Sequence, residues 1–275
     1  EGNYPLEVLQ IAHTPLDIIV VDKMHRKPLG RPYITLAIDV YSRMIAGFYI
    51  SLQAPGYFNV SQCLLNAFMQ KNNFLHRQEV EGDWNIYGLP RIIHVDNGAD
   101  LVSSDMQRVC DEYGITLMKR PVARPQFGAH VERVLGTINK EVHNLDGSTF
   151  SNIFDKGEYN SQKNASYTIE ELTKWITHYI VNIYHKTYHH GIEMTPTEKY
   201  TLGIFGDDEN AGTGVLPSII DNFDDIKISL LPTYFRTVQK NGIAIDGITN
   251  YLDVLRQWIV VRNDSKKKIK HKKKK

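Results

Sequence analysis

A short apolar run that ends in an acidic turn, followed at a distance by an amphipathic helix, constrains the fold of this chain most. The run Ile92–Val95 has the length of a buried strand, and it leads into Asp96 and the turn signal Asn97-Gly98. Thirty-five residues then separate Asp96 from Glu132. The pattern predicts a strand that carries one carboxylate at its end and a helix that carries a second. Paired carboxylates near basic segments are typical of metal-dependent chemistry on phosphates.

The helix that contains Glu132 has one apolar stripe, which is expected to face a sheet. At about 100° per residue, the stripe spans about 60° on either side of Val131. Its other apolar members are Val134, Leu135, Ile138 and Val142. Glu132 lies on the shoulder of the stripe, where a carboxylate can lean over the sheet edge and still meet a large ligand. The same shoulder carries Gly128, Gly136, Asn139 and His143, and its glycines leave room for a backbone phosphate. The alternative is a solvated glutamate without a role.

Length and composition indicate a globular protein with room for two domains. The chain has 275 residues, of which 42% are hydrophobic. No apolar run approaches the ~20 residues of a membrane helix, and we expect neither a membrane span nor a signal peptide. The chain begins at Glu1 rather than at Met, so we expect an internal fragment. Cys63 and Cys110 each lie inside a predicted helix, which favours buried thiols in a reducing compartment over a disulfide.

The net charge of +1 hides an uneven distribution. Residues 266–275 contribute eight lysines and no acids, so residues 1–265 carry 24 basic and 31 acidic side chains, a sum of −7. An acidic body is not typical of a protein that binds nucleic acid by general electrostatics. Affinity for DNA would have to come from local basic clusters, from the tail or from segments upstream of Glu1. The low-complexity tail is expected to be disordered, either as a nucleic-acid arm or as a solubility tail.

Apolar runs and capping signals predict an α/β order of three strands, helix, strand, helix, strand, helix. The predicted strands are 9–22 with a bulge at Pro15, 33–39, 44–51, 92–95 and 115–118. Helix starts are predicted at Asn59, Ser104, Thr168 and Thr195, and residues 71–90 read as a loop. The polar stretch 206–214 is the predicted linker. Beyond it, short β-rich runs such as 234–238 and 242–245 predict a small barrel.

Several phrases in a fixed order carry a resemblance to a known family. They are HTPLDIIVVD, GRPYITLAIDVYSRMIAGF, HVDNGAD, GAHVERVLGT and YHHGIEMTPTEKY. The chain resembles the DDE transposase and retroviral-integrase superfamily, and within it the Mu-like and TnsB-like transposases. The resemblance implies an RNase H-like catalytic core over residues 1–205, a linker at 206–214, and a Mu-type C-terminal β-barrel over 215–264. The match stops after Asp264, where a lysine-rich tail (265–275) begins. A truncated barrel is therefore the alternative to a complete one.

One of the three acids that the family uses is missing. Asp96 and Glu132 match the second and third catalytic acids, but the residue before the HTPLD phrase, where the family has its first aspartate, is Ala12. We expect an inactivating replacement. An introduced substitution is favoured, and a natural non-catalytic subunit is the other origin.

Three nearby acids are candidates to replace the missing first aspartate. Asp17 lies at odd spacing from Ala12 and so on the opposite face of a regular strand, although a bulge at Pro15 could change that. Asp22 would lie about 33 Å away along a strand. Asp39 ends the second strand and is a candidate metal ligand, but the resemblance implies a structural role for this position.

The resemblance implies two Mg²⁺ ions, with Mn²⁺ as a substitute, and Asp96 and Glu132 as their ligands. It also suggests contacts to DNA from residues around these acids, with ordinary surface charge as the alternative. The candidate DNA-binding residues are Lys119, Arg120, Arg124, Arg133, Asn139 and His143. His185, His189 and His190 follow an aromatic-rich helix and are predicted to pack and cap rather than bind metal.

The predicted function is that of a transposase subunit that cleaves 3′ ends and transfers strands of transposon DNA. The implied partners are transposon-end and target DNA, further copies of the chain, an AAA+ ATPase regulator and a separate endonuclease subunit, in the bacterial cytoplasm at the nucleoid. No membrane is implied. A non-catalytic DNA-binding or assembly subunit is the alternative, and a structure-specific nuclease is a third. No Gly-rich phosphate loop is present, which argues against an ATPase.

Overall fold

The computed structural model describes residues 2–96, 103–119, 128–148, 164–220, 222–245 and 247–259. Contacts divide the chain into two compact units, Glu1–Leu231 and Pro232–Lys275. The stretch 206–214, predicted as a linker, lies inside the first unit. It folds back on the preceding helix, since Thr213 N donates to Gly203 O (2.9 Å) and Gly214 N donates to Ile204 O (2.9 Å). The contacts thus divide the chain later than the sequence predicts.

The first unit contains seven strands and seven α-helices within the described residues. The strands are β1 (Val8–Pro15), β2 (Val20–Val21), β3 (Pro28–Gly30), β4 (Tyr33–Asp39), β5 (Ile45–Ser51), β6 (Ile92–Val95) and β7 (Thr116–Lys119). The helices are α1 (Tyr57–Phe68), α2 (Asn72–Gln78), α3 (Ser104–Glu112), α4 (Ala129–Val142), α5 (Ile169–His178), α6 (Pro196–Phe205) and α7 (Phe223–Ser229). A π-helical turn (Tyr179–Ile183) and a 3-10 turn (Tyr184–Lys186) extend α5.

Five strands form one mixed sheet in the order β5-β4-β1-β6-β7. The first three strands along the chain that enter it, β1, β4 and β5, pair antiparallel as a meander. Strands β6 and β7 add to the other side of β1 in parallel, each reached through a connection that contains a helix. This is the element order predicted for an RNase H-like layer structure, so the α/β prediction is confirmed.

The first predicted strand is shorter than expected. β1 ends at Pro15, and only Val20–Val21 of the remaining run forms a strand, paired with β3 outside the main sheet. Leu16 N still donates to Pro32 O (2.8 Å) in register with β4, but Pro32 has no N–H with which to return the bond. The parity argument for Asp17 therefore does not apply, since Asp17 lies beyond the strand.

Register shows which face of the sheet carries Ala12. Gly47 of β5 pairs with Ala37 of β4, which pairs with Ile11 of β1, so these three residues share a face. Helix α1 covers that face so closely that a β-carbon at Gly47 would lie 2.5 Å from the backbone nitrogen of Ala67. Ala12 follows Ile11 in the strand and belongs to the opposite face.

The predicted helix starts at Thr168 and Thr195 are confirmed at the N-termini of α5 and α6. Thr168 and Thr195 both form capping boxes, with Glu171 and Glu198 as their partners. The extension of α5 packs into the core through His185, whose Nε2 accepts a hydrogen bond from Ile45 N (2.9 Å).

The histidines that follow α5 contact neighbouring aromatic rings and backbone. His185 is buried, and the ring of His189 lies edge-on against Tyr184 at 4.8 Å. Burial lowers the pKa of His185 to about 3, so the ring stays neutral and acts as an acceptor. Packing, rather than metal binding, is the role that these contacts support.

The second unit has one small sheet among its described residues. Strands β8 (Ile243–Ile245) and β9 (Ile248–Asn250) pair antiparallel, and a 3-10 turn follows at Asp253–Trp258. The run 234–238 forms no strand. The described part of residues 215–264 therefore contains no closed sheet, and residues 215–231 belong to the first unit. The tail 265–275 lies outside the described residues.

Both cysteines are buried and free, as predicted. Among the described residues, no helix combines the length and apolar character needed to cross a membrane.

Candidate active site

One cavity of about 320 Å³ brings together the three positions that the sequence singles out. Ala12, Asp96 and Glu132 all line it. The remaining lining residues are His13, Thr14, Leu135, Gly136 and Asn139. The cavity lies at the end of β1 that leads toward Pro15, on the side where α4 covers the sheet.

Strand register brings Asp96 level with position 12. Val95 of β6 lies opposite Ile11 of β1 in the parallel pair. The next residues along the two strands, Asp96 and Ala12, are therefore neighbours across the sheet. The side chain of Asp96 is exposed at this edge, immediately after the last residue of the strand.

Helix α4 delivers Glu132 to the same place because of its apolar stripe. Glu132 lies in the first turn and is exposed. The helix packs on β1 and β4 through the stripe predicted from the sequence. All five of its members are buried: Val131, Val134, Leu135, Ile138 and Val142. With that stripe against the sheet, the shoulder that carries Glu132 turns toward the cavity.

Hydrogen bonds from the second half of α4 hold the segment that follows β1. Asn139 Oδ1 accepts from Asp17 N (3.0 Å), and Asn139 Nδ2 donates to Pro15 O (3.2 Å). One turn later, His143 Nε2 lies 3.1 Å from Asp17 Oδ2. Asp17 also forms an ion pair with Arg31. The side chains of Asn139 and His143, both proposed from the sequence as DNA contacts, are thus engaged within the protein.

The basic candidates for DNA contact lie partly outside the described residues. Lys119 ends β7 and is exposed, opposite Val95 in the register, so it borders the edge where Asp96 lies. Arg133 follows Glu132 on α4 and is exposed. Arg120 and Arg124 fall outside the described residues.

The first turn of α4 also carries a histidine that stays uncharged. Burial, together with the nearby cations Arg43 and Arg133, lowers the pKa of His130 to about 4. At neutral pH the charge next to Glu132 therefore comes from Arg133 and not from His130.

The other acids that were weighed as metal ligands are held elsewhere. Asp39 is fully buried, and its oxygens accept from Leu6 N (3.0 Å), Ser42 N (2.9 Å) and Ser42 Oγ (2.6 Å). Asp22 caps its own turn by accepting from backbone N–H groups within 22–27. Neither lines the cavity.

Sequence reasoning missed His13, Thr14 and the role of Asp17. The first two line the cavity because they follow position 12 at the end of β1. Their place next to Ala12 in the HTPLD phrase was a usable signal. The hydrogen bonds of Asp17 to α4 had no such signal, since they join residues 122 positions apart.

The donor set around the cavity suits a hard divalent cation in type but not in number. Asp96 and Glu132 supply carboxylate oxygens, which Mg²⁺ and Mn²⁺ prefer. Within the described ranges, no group of three His, Cys, Asp or Glu side chains is arranged to hold a metal. Asp96 and Glu132 therefore supply suitable oxygens to the cavity, and the methyl group of Ala12 supplies none.

The mixed sheet, with position 12 and two carboxylates around one cavity, defines an RNase H-like core of the transposase and integrase class. The model of the family described as the TnsB C-terminal domain matches residues 10–147, which is half of the chain. The chain belongs to this family, and the resemblance inferred from its phrases is confirmed.

Two curated transposases are similar over most of the chain. The transposase for transposon Tn552 of Staphylococcus aureus is 26% identical over 268 residues, covering 95% of this chain and 50% of that protein. The Tn7 transposition protein TnsB of Escherichia coli is 26% identical over 255 residues, covering 87% of this chain and 35% of that protein. The chain thus spans half or less of the length of these relatives.

Two solved integrase structures are also similar. The HTLV-2 integrase catalytic core domain in complex with magnesium gives a TM-score of 0.42 at 14% identity, covering 73% of this chain and 99% of that one. The catalytic core domain of BIV integrase gives 0.39 at 15% identity, covering 71% and 93%. The family assignment rests on the sequence match and not on these structures.

Proposed function

We propose that this chain is part of a transposase subunit of the TnsB and Mu type, which cleaves the 3′ ends of transposon DNA and joins them to target DNA. We further propose that Ala12 inactivates it. The observation that carries the proposal is the single cavity shared by Ala12, Asp96 and Glu132 in a chain of the TnsB family.

The chemistry proposed for the cavity is in-line phosphoryl transfer. Asp96 and Glu132 would hold divalent cations, which when bound activate the attacking oxygen and stabilise the leaving one. The protein's own part is to fix the two carboxylates on separate elements, a strand end and a helix. A third carboxylate at position 12 would lie between β6 and α4 and complete the set. With a methyl group there, the chain lacks the ligand that two ions would share.

DNA would reach the cavity across the edge that carries the basic residues. We propose phosphate contacts from Lys119, Arg120, Arg124 and Arg133, because charge-assisted hydrogen bonds to phosphates position DNA without reading its sequence. Assembly of several copies on paired transposon ends is part of the proposal. So are an AAA+ ATPase regulator, a separate endonuclease subunit, a location at the bacterial nucleoid, and a Mu-type barrel in 215–264. These partners and the barrel remain predictions from the family.

The experiment is 3′-end cleavage of the DNA ends that flank the gene, by the complete protein with Ala12, Ala12→Asp or Ala12→Asn. Only Ala12→Asp adds a charged ligand, and Ala12→Asn matches it in size. We expect Ala12→Asp to raise the rate with Mg²⁺ by about a thousandfold or more, since the stabilisation by one ion is worth several kcal/mol. DNA affinity should change little, because phosphate contacts supply it.

Equal cleavage by all three versions would refute the role assigned to position 12. If Ala12→Asp stays inactive while DNA binding and assembly are intact, the non-catalytic assembly subunit becomes the better reading.

A further inference from the structure

Two positions of the candidate active site, 12 and 132, lie on elements that are far apart in the sequence. Position 12 belongs to β1, and Glu132 belongs to α4. Their separation depends on how α4 rests against the sheet, and a metal site needs that separation to be fixed closely.

Apolar packing alone does not fix it. The buried stripe of α4 holds the helix on the sheet, but hydrophobic burial has no preferred direction. Interdigitated side chains restrain such a helix, but metal ligands must be held within about 0.5 Å, which supporting hydrogen bonds help to achieve. Hydrogen bonds have preferred lengths and angles, so they can set the register.

Asn139 supplies such bonds. Its Oδ1 accepts from Asp17 N (3.0 Å), and its Nδ2 donates to Pro15 O (3.2 Å). One side chain therefore binds both a donor and an acceptor of the segment that follows β1. The amide of asparagine is suited to this, because it is donor and acceptor at once.

The place of these bonds relative to the cavity is informative. Asn139 lies seven residues after Glu132, about 10 Å along the helix. Pro15 lies three residues after Ala12, also about 10 Å along the strand. The two bonds therefore connect α4 to the segment that follows β1. On each element they lie about 10 Å from the position that faces the metal site, Glu132 on the helix and Ala12 on the strand.

The segment that Asn139 binds is itself held from the other side. Leu16 N donates to Pro32 O (2.8 Å), and Arg31 Nε donates to Leu16 O (3.1 Å). Asp17 lies between Arg31 and His143, which adds a second attachment to α4. Asn139 therefore binds to a fixed part of the molecule.

We propose that Asn139 is a positioning residue, whose two hydrogen bonds to Pro15 and Asp17 set the distance between Glu132 and position 12, with the Asp17–His143 contact as a weaker second attachment. The inference rests on the proposed function, in which these two positions share divalent cations. It assigns Asn139 to the support of the site and not to DNA.

The test starts from the Ala12→Asp chain and measures Mn²⁺ binding without DNA, by the electron paramagnetic resonance signal of free Mn²⁺. Asn139→Ala removes both bonds, and Asn139→Leu removes both while it keeps the size of the side chain and adds no charge to the cavity. Asn144→Ala, at an exposed asparagine just after α4, is the matched control. Thermal unfolding checks that each variant is folded.

We expect Asn139→Ala to weaken Mn²⁺ binding about tenfold or more, as loss of a residue that orients metal ligands does. Asn139→Leu should weaken Mn²⁺ binding to a similar extent, and it serves as the test if Asn139→Ala does not fold. Asp17→Asn keeps the backbone bonds to Asn139, so it should have the smaller effect. Asn144→Ala should bind as the parent does.

A second readout separates positioning from general destabilisation. Mg²⁺ demands near-ideal octahedral geometry and gives up water reluctantly. End cleavage by Asn139→Ala in the complete Ala12→Asp protein should therefore fall more with Mg²⁺ than with Mn²⁺. A merely structural defect would lower both by the same factor.

Unchanged Mn²⁺ affinity in a folded Asn139→Ala variant, or equal losses with the two metals, would overturn the inference while leaving the proposed function intact. If the Ala12→Asp chain binds no Mn²⁺ and cleaves no DNA, the proposed function has failed, and the inference falls with it.

Discussion

Two aspartates flank β1, and their surroundings differ in every respect that matters for function. Asp39 ends β4 and pairs with Leu9 in the register, whereas Asp96 follows β6 and lies level with Ala12. The carboxylate of Asp39 is fully buried, and that of Asp96 is exposed at a cavity. The sequence offered both as candidate metal ligands at strand ends.

The two aspartates differ in the surroundings of their carboxylate oxygens. Both oxygens of Asp39 accept hydrogen bonds from the turn that joins β4 to β5 and from Leu6, so this carboxylate closes a turn. Burial raises the pKa of Asp39 to about 6 against the lowering effect of those bonds. Asp96 shares its cavity with Glu132 on a different element. A carboxylate at a strand end is therefore a ligand candidate only where the fold leaves it facing open space.

The largest expected effect tests the cavity side of this comparison. In the Ala12→Asp protein, Asp96→Asn and Glu132→Gln should each lower end cleavage by about a thousandfold or more, because each removes a charged ligand from an ion. Glu141→Gln, on the same helix as Glu132, is the control and should cleave normally. Single-turnover cleavage assays with Mg²⁺ measure this, and full activity in either cavity variant would sink the assignment.

The next effect tests the buried side, through the pH dependence of stability. The pKa of Asp39 is raised from 3.8 to about 6 on folding. The stability it contributes is therefore fully present below pH 3.8 and is lost as the pH rises through 6. The destabilisation caused by Asp39→Ala should shrink by about 2 kcal/mol between pH 4 and pH 7, at 1.36 kcal/mol for each unit of the shift that this range covers.

Urea unfolding of the two proteins across this range gives the difference directly. Asp22→Ala is the contrasting control, since backbone N–H donors from His25 and Lys27 lower the pKa of Asp22. Its cost should stay nearly constant between pH 4 and pH 7 and fall only below about pH 3.8. A constant cost for Asp39→Ala across the range would show that Asp39 does not change its affinity for protons on folding.

The sequence could predict one aspartate's place but not the other's for a physical reason. Asp96 and Glu132 follow from local signals, a strand that ends in a polar turn and a helix with a single apolar stripe. The carboxylate of Asp39 accepts hydrogen bonds from Ser42 and Leu6, and only the folded chain brings these donors to it. The contact of Asn139 to Asp17 is of the same non-local kind.

Burial of charge was equally hidden from pattern reasoning. Residues 71–90 read as a loop, yet α2 begins at Asn72, and Lys71 is almost completely buried. Its Nζ donates to the carbonyl oxygens of Ala67 (3.2 Å), Met69 (2.7 Å) and Ile86 (2.9 Å). Three carbonyl acceptors match the three donors of an ammonium group, so a residue that usually marks the surface ties helix α1 to the following loop.

A smaller effect concerns the open space of the cavity itself. Gly136 lines it, and a β-carbon added there would meet no atom of the described residues within 4 Å outside its own stretch of helix. Because glycine is a poor helix former, Gly136→Ala should stabilise the protein by up to about 1 kcal/mol. The same methyl group would occupy space that a DNA phosphate needs, so cleavage by the Ala12→Asp protein should fall.

The measurement pairs thermal unfolding with end cleavage, and Lys140→Ala, exposed on the same helix, is the control for both. A gain in stability with unchanged cleavage would mean that this wall of the cavity is not used by DNA. A loss of stability would mean that the wall is more crowded than the open space around Gly136 indicates.

The smallest expected effect completes the comparison with a carboxylate that is paired but exposed. Glu171 binds Arg26 through two hydrogen bonds, and this guanidinium lowers the pKa of Glu171 to about 2. Both side chains are about half exposed, 45% and 53%, so solvent screens the pair. Glu171→Gln can still accept from Thr168 N, so it should cost less than about 1 kcal/mol.

The pKa of Glu171 is lowered on folding, so its contribution is present above pH 4.5 and is lost as the pH falls through about 2. Salt at about 1 M should also remove it, since the screening length is then about 3 Å. Urea unfolding at pH 2 and pH 7 tests the first point, and urea unfolding at low and high salt tests the second. A cost as large as that of Asp39→Ala, or one that salt does not reduce, would contradict the view that burial and not pairing decides how much a carboxylate contributes in this fold.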